Sequence, residues 1–403
     1  MTPPSHWFNP GIPAKLPNTL PLSLAARVLL AVAWWATAAG AQQPATNPAP
    51  TPPGRPADAA AKLEKLRTKY GADMLYDVDD KLKILFAMST DERSLAEVKL
   101  RLTSHAEALQ RDLFKYGPKD YLSVIVPKQW ANPKVTGHFY PDRVDGATIG
   151  CNLMHEFTHA LHYADQVGRD HMQPVWLMEG FASMYESSEV INGHVEPKLN
   201  ARLGGLQHEL KDNKYLAFSK MMKLEHRQFT SHHYAQANYM CLYLHATGQL
   251  PKWYAAYNEG FAADSSGVAA TEKIYGKQLE EVEKDWIAWV MQLQPLPLDR
   301  GPGAAGIDIG SKQLPDAVEI AQLTPQGAAA KAGLSVGDAL IHVDGQRTIE
   351  TQDLVLALGR HQPGDSVKVE YRRNGEYRET SVTLTSMAAT PQAPTATPPA
   401  IAP

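Results

Sequence analysis

His155-Glu156-Phe157-Thr158-His159 decides how this chain is read. The five residues spell H-E-x-x-H inside an apolar, helix-like run from Ile149 to Tyr163. Positions i and i+4 of a helix share a face, so His155 and His159 offer two imidazole nitrogens to one ion. Glu156 lies between them, placed to take a proton from a water on that ion. Leu153, Met154, Phe157, Ala160 and Leu161 surround the polar residues and predict a buried helix.

A catalytic zinc site needs a third protein ligand and an open position. Glu179 stands twenty residues beyond His159, the only charge in the apolar segment Trp176-Leu177-Met178-Glu179-Gly180-Phe181-Ala182. A buried carboxylate without a partner is costly, and a zinc ion resolves that cost. One Zn2+ on His155, His159 and Glu179 is therefore the expected cofactor. Another helical pattern runs from Tyr234 to Leu244.

H-E-x-x-H followed by W-L-x-E-G-F-A resembles the gluzincin metallopeptidases, the group of thermolysin and the aminopeptidase N-like enzymes. The likeness covers about Thr136 to Gln294. It implies zinc ligands His155, His159 and Glu179, a general base at Glu156 and an oxyanion-stabilising Tyr234. Tyr239, five residues on, is the other tyrosine that fits that role. In gluzincins the strand before the zinc helix is the edge along which substrate lies. Here that strand is Val135 to Tyr140, with Gly137, His138 and Phe139 as the substrate shelf. The chain departs from the family twice. Val135 to Pro141 contains no G-x-M-x-N, and Ser183 stands where thermolysin places an acid four residues after its ligand glutamate. Whether cleavage is internal or terminal stays open.

Ala328 to Gly345, AAAKAGLSVGDALIHVDG, resembles a bacterial PDZ domain, which such sequence implies over Gly303 to Thr385. Gln352 to Leu358 would be its groove helix. Val367 to Tyr371 and Thr380 to Leu384 would form a hairpin turned at Asn374-Gly375. Ala304 to Ile307 would be the carboxylate loop, with Gly306 and Ile307 in the peptide groove. PDZ domains bind extended peptide ends by strand addition.

The rest of the 403 residues sets the frame. The net charge of −4 gives no basic excess for nucleic acid. Residues 1–41 carry no acid. Lys15 and Arg27 precede an apolar run, Val28 to Ala39, and Ala39-Gly40-Ala41 forms an A-x-A pattern. This reads as a signal peptide cleaved after Ala41, because the run is shorter than the ~20 residues of a membrane span. An uncleaved anchor is the alternative. The protein is thus expected to be exported, without a stable span after cleavage, with peptide or protein as substrate.

Residues 42–60 and 387–403 have disordered composition, and 295–302 reads as a linker. The expected architecture is α+β. A peptidase domain, 61–294, has an α/β part (61–146) and a helical part (147–294), and a β-barrel-like PDZ domain follows over 303–386. Met74 to Met88 predicts a hairpin turning at Asp79-Asp80. A helix follows, capped by Ser89 with Glu92, lined by Leu95, Val98, Leu102, Ala106, Leu109 and Leu113, and stopped by Gly117. Tyr121 to Val126 predicts a buried strand. Leu279, Val282, Trp286, Trp289 and Val290 form a core stripe. His162, His171, His232 and His233 read as structural, with His233 also placed to assist an oxyanion. Cys151 and Cys241 permit one disulfide between two site-bearing helices. The competing functions are an inactive peptidase fold serving as a peptide-binding adaptor, and an envelope protein using zinc only structurally.

Overall fold

Alternation in two short apolar runs builds the first layer of the molecule. The computed structural model describes residues 57–130, 136–298 and 304–386. Helix α1 (Ala57–Tyr70) leads into β1 (Leu75–Asp79) and β2 (Ile84–Met88), the expected hairpin, paired antiparallel. Its turn is closed by Asp79, whose Oδ1 accepts from Leu82 N at 2.8 Å. Every residue of β2 is buried. Ile84, Phe86 and Met88 face the main core, while Leu85 and Ala87 face the satellite clusters on the other side. A strand covered on both faces can be apolar throughout.

Helix α2 (Glu92–Asp112) packs Leu95, Val98, Leu102, Ala106 and Leu109 on the main-core face. Its cap differs from the expectation. Asp91 is the N-cap, its Oδ1 accepting from Ser94 N at 2.8 Å, while Ser89 N remains tied to Val126 O. The helix also ends before Gly117. Phe114 turns into the core, and the amides of Lys115 and Tyr116 donate to Asp165 Oδ1 at 2.7 and 3.0 Å.

β3 (Leu122–Val126), β4 (Gly137–Tyr140) and β5 (Arg143–Gly146) complete a five-stranded sheet of order β1-β2-β3-β5-β4. β2, β3 and β5 run parallel, and β4 is the antiparallel edge. Among the described residues β4 has no further strand on its outer side, where the substrate shelf was expected.

Helices α3 (Cys151–Arg169) and α4 (Val175–Tyr185) follow. The region expected to be helical then contains a hairpin, β6 (Ser188–Ile191) with β7 (His194–Pro197). Asn192 and Gly193 turn it with φ of 52° and 85°. Asn-Gly is the dipeptide that tolerates both left-handed positions of a tight hairpin turn. The remaining helices are α5 (Arg202–Lys211), α6 (Phe218–Met221), α7 (Ser231–Ala246), α8 (Leu250–Gly260), α9 (Val268–Tyr275) and α10 (Leu279–Gln292). Leu279, Val282, Trp286 and Val290 are buried, as the stripe predicted.

The C-terminal sheet is ordered β14-β13-β11-β10-β9. It comprises β9 (Ile309–Gln313), β10 (Val318–Leu323), β11 (Ala339–Val343), β13 (Ser366–Arg373) and β14 (Glu376–Thr383). Asn374-Gly375 turns the last hairpin, with φ of 53° and 82°. The short helix α11 (Ala328–Lys331) and the strand β12 (Gln346–Arg347) fall within this fold, and helix α12 (Thr351–Leu358) packs Leu354, Ala357 and Leu358 into its separate core. Residues 304–307 are not an open loop. β8 (Ala305–Gly306) pairs with β15 (Thr385–Ser386), and Ile307 is buried beside Leu354 and Leu358.

Ion pairs and a hydrogen bond join this domain to the start of α2. Arg93 donates to Glu370 at 2.6 and 3.1 Å, Arg347 to Glu97 at 3.1 Å, and Tyr377 to Asp91 at 2.5 Å. The expected signal peptide and C-terminal tail lie outside the described residues, as does most of the 42–60 linker, whose last four positions already belong to α1. Among the described residues no helix is long and apolar enough to cross a membrane.

Candidate metal and catalytic site

The i, i+4 spacing on α3 brings His155 and His159 together, ring centroids 4.8 Å apart and nearly perpendicular. Helix α4 lies close against α7 because Gly180 has no side chain. A Cβ there would meet Cys241 Sγ at 2.5 Å and Ala237 O at 2.9 Å, both on α7. Glu179, the residue before Gly180, faces the two histidines of α3.

Three donor atoms then form a nearly equilateral triangle. His155 Nε2 and His159 Nε2 are 3.2 Å apart, and Glu179 Oε2 lies 3.3 and 3.2 Å from them. A tetrahedral ion with bonds of about 2.0 Å needs ligands about 3.3 Å apart. Glu179 Oε2 is also buried with no hydrogen-bond partner. An orphaned carboxylate oxygen facing two imidazoles is a donor set that could hold a divalent ion.

The charges follow the same geometry. Burial works to lower the His155 pKa, but Glu179 and Glu186 outweigh it and raise it to about 9. Burial works to raise Glu179, and both histidines hold it well below the carboxylate range. Burial raises Glu156, with the two histidines opposing. A desolvated carboxyl with a raised pKa suits proton exchange near neutral pH better than a solvated one.

Glu156 is accommodated by Gly137 on the edge strand, where a Cβ would fall 2.6 Å from Glu156 Cγ. Gly137 thus backs the base. Phe139 packs its ring against His159, 6.0 Å between centroids, and against Tyr163. His138, on the alternate side of the strand, stacks on Trp130.

Of the two candidate tyrosines, Tyr234 stands beside the site. Its ring centroid is 6.3 Å from that of His155, and burial, Glu179 and Glu156 push its hydroxyl up to about 12. A hydroxyl so raised stays protonated and donates. Tyr239 is fully buried, and its oxygen accepts from Asn200 N at 3.4 Å.

Three residues that sequence reasoning missed surround His155. Glu186 Oε2 lies 3.3 Å from His155 Nδ1. Arg202 donates to Glu186 at 2.9 and 3.1 Å, and Asn200 Nδ2 at 3.2 Å. Glu186 is seven residues after Glu179, two helical turns along the same face, and that spacing was the available signal. Ser183, four residues after Glu179, is buried.

Other expectations resolve differently. Cys151 and Cys241 are unpaired. Cys151 Sγ is engaged by Glu350, and Cys241 fills the space against Gly180. His233 Nδ1 accepts from Thr230 N at 3.0 Å, capping α7. His162 is held by Gln173 at 2.6 Å, His171 stacks on Phe261, and His232 contacts Glu209.

Residues 303–384 match the family model described as PDZ domain, in agreement with the fold of that region. The C-terminal part of this chain is a PDZ domain. A probable periplasmic serine endoprotease, DegP-like, of Halomonas elongata is 41% identical over 70 residues, 17% of this chain and 15% of that protein. The zinc metalloprotease RasP of Geobacillus kaustophilus is 42% identical over 76 residues, 19% of this chain and 17% of that protein. The chain thus spans only about a sixth of the length of these curated relatives. Among solved structures, an aminopeptidase N family protein from Idiomarina loihiensis aligns with 79% of this chain and 68% of its own at 14% identity, with a TM-score of 0.36.

Proposed function

We infer that this protein is an exported zinc metallopeptidase of gluzincin type with an appended PDZ domain, the peptidase spanning 61–294 and the PDZ domain 303–386. The observation that carries the reading is the triangle of His155, His159 and Glu179, sized for a tetrahedral ion, with Glu156 beside His155 on the same helix.

His155, His159 and Glu179 would hold Zn2+, which when bound polarises a carbonyl and acidifies a coordinated water. Glu156 takes the proton of the attacking water and returns it to the leaving amine. The Tyr234 hydroxyl donates to the oxygen on which charge develops, an interaction that strengthens in the transition state. Glu186 holds the far nitrogen of His155, fixing ring orientation and tautomer. The edge of β4 offers free backbone groups to an extended peptide. The PDZ domain, with its groove near Gly306 and Ile307, recruits peptide or protein. Export rests on the signal-peptide pattern of residues 1–41.

The second reading is an inactive peptidase fold used as a PDZ adaptor. Metal content of the wild type and of Glu179→Gln, with cleavage of a peptide library, separates the two. The peptidase reading expects zinc near one equivalent in the wild type, loss in the variant, and cleavage only by the wild type. A zinc-loaded wild type that cleaves nothing favours the adaptor.

A further inference from the structure

Helix α3 begins without a cap of its own. Its N-cap is Gly150, which has no side chain to accept from the first turn, and that turn carries no acid. Helix N-termini expose unpaired N–H groups and a partial positive charge, so an acceptor or an anion there is expected. The anion comes from the PDZ domain. Glu350, the residue preceding α12, sends its carboxylate across the domain junction. Its Oε1 accepts from Thr148 Oγ1 at 2.8 Å and its Oε2 from Cys151 Sγ at 3.1 Å. Thr148 Oγ1 accepts in turn from Gly150 N at 3.1 Å. The fit is close: a Cβ on Gly150 would fall 2.2 Å from Glu350 Oε1.

Two more contacts fix the same four residues. Ile149 N donates to Pro315 O, also of the PDZ domain, at 2.8 Å. The half-buried Arg101 of α2 donates to the carbonyls of Ile149 and Gly150. Residues 148–151 are thereby held between the α/β layer and the PDZ domain. Cys151 and His155 are four apart on one helix face, so the anchored turn lies directly before the first metal donor. Side chains at a metal need positioning to within about 0.5 Å.

We propose that Glu350 is a positioning residue of the peptidase site: the PDZ domain supplies the N-terminal anchor of the helix that carries His155, Glu156 and His159. The PDZ domain is then part of the catalytic unit and not a tethered recruiter alone. This rests on the zinc reading above and adds to it a residue from the other domain.

The test uses the full chain. Glu350→Ala and Glu350→Gln remove or neutralise the carboxylate, and Thr148→Val removes the donor from the peptidase side. Glu376→Ala, on the exposed PDZ surface, is the control. Zinc affinity is read by competition with a chelator, and hydrogen exchange is read at the amides of residues 151–155. Where peptide turnover is measurable, kcat and KM are compared. Glu350→Ala is expected to bind zinc about tenfold more weakly, the lower end of effects seen for groups behind a metal ligand. Exchange should accelerate at 151–155, kcat should fall with KM held, and Thr148→Val should give the same pattern without adding to it. Glu350→Gln should fall between. Unchanged exchange, or unchanged zinc affinity, in Glu350→Ala overturns the assignment. A wild type that takes up no zinc overturns the metal reading itself and this assignment with it. A variant as tight as a zinc-binding wild type overturns only this one.

Discussion

Glu186 Oε2 lies 3.3 Å from His155 Nδ1, on the side of the ring opposite the three converging donor atoms. The contact spends the second nitrogen of His155 on a carboxylate and leaves Nε2 for the metal. Glu186→Ala is expected to weaken zinc binding by roughly 10- to 100-fold, the usual range for such partners. The variant also leaves the half-buried Arg202 guanidinium without its ion pair. Equilibrium competition with a chelator checks this, and an affinity equal to that of wild type would separate Glu186 from the site.

The position of Tyr234 predicts a kinetic signature. Tyr234→Phe keeps the ring and deletes one donor to the developing oxyanion, so kcat should fall about 10²- to 10³-fold. KM should change little, because the bond forms mainly in the transition state. Tyr239→Phe removes only a buried contact with Asn200 N and should leave kcat near wild type. Steady-state assays of the two variants side by side decide the matter; a larger loss in Tyr239→Phe would reverse the roles.

The helix crossing at Gly180 is expected to resist enlargement. Gly180→Ala places a methyl group against Cys241 Sγ and Ala237 O. Overpacking of this kind costs about 1–3 kcal/mol, and here it also displaces the neighbouring Glu179. Denaturant titration and metal content should both register the change. Full zinc occupancy at wild-type stability would show that the crossing has slack.

Acid should destabilise the fold beginning near pH 6.5. Burial, aided by Arg101, lowers His105 to about 3, and burial against the opposing Gln173 hydrogen bond lowers His162 to about 4. Unfolded histidines take up protons near pH 6.5, whereas these folded ones stay neutral. Below pH 6.5 the unfolded state binds more protons, so stability falls as pH falls, and above it the contribution is fully present. Each group contributes a slope of roughly 1.4 kcal/mol per pH unit. Unfolding free energies at pH 7 and pH 5 should show the loss, and His105→Phe should flatten it; an unchanged slope contradicts the assignment.

The three candidate donors could be read from the sequence because each is set by local periodicity. His155 and His159 need only one helical turn, and Glu179 is the single charge in an apolar helix. The PDZ hairpin was legible for a similar reason, since Asn374-Gly375 names its own turn. What was not legible depends on distance along the chain. Glu350 meets Thr148 across 202 positions, and no pattern near either residue announces it. Asp91 and not the expected Ser89 caps the helix, and Ser89 N is instead tied to Val126 O, a bond set by a strand far along the chain. The hairpin at Asn192-Gly193 carried a readable turn signal, hidden by the helical pattern on either side.

The most direct measurement is peptide hydrolysis by wild type and Glu156→Gln at equal zinc content. Glutamine keeps the size of the base and cannot take a proton. The account predicts cleavage by the wild type and a loss of at least about 10² in kcat for the variant, with both proteins holding one zinc. Equal cleavage by the two, or none by a zinc-loaded wild type, would contradict it.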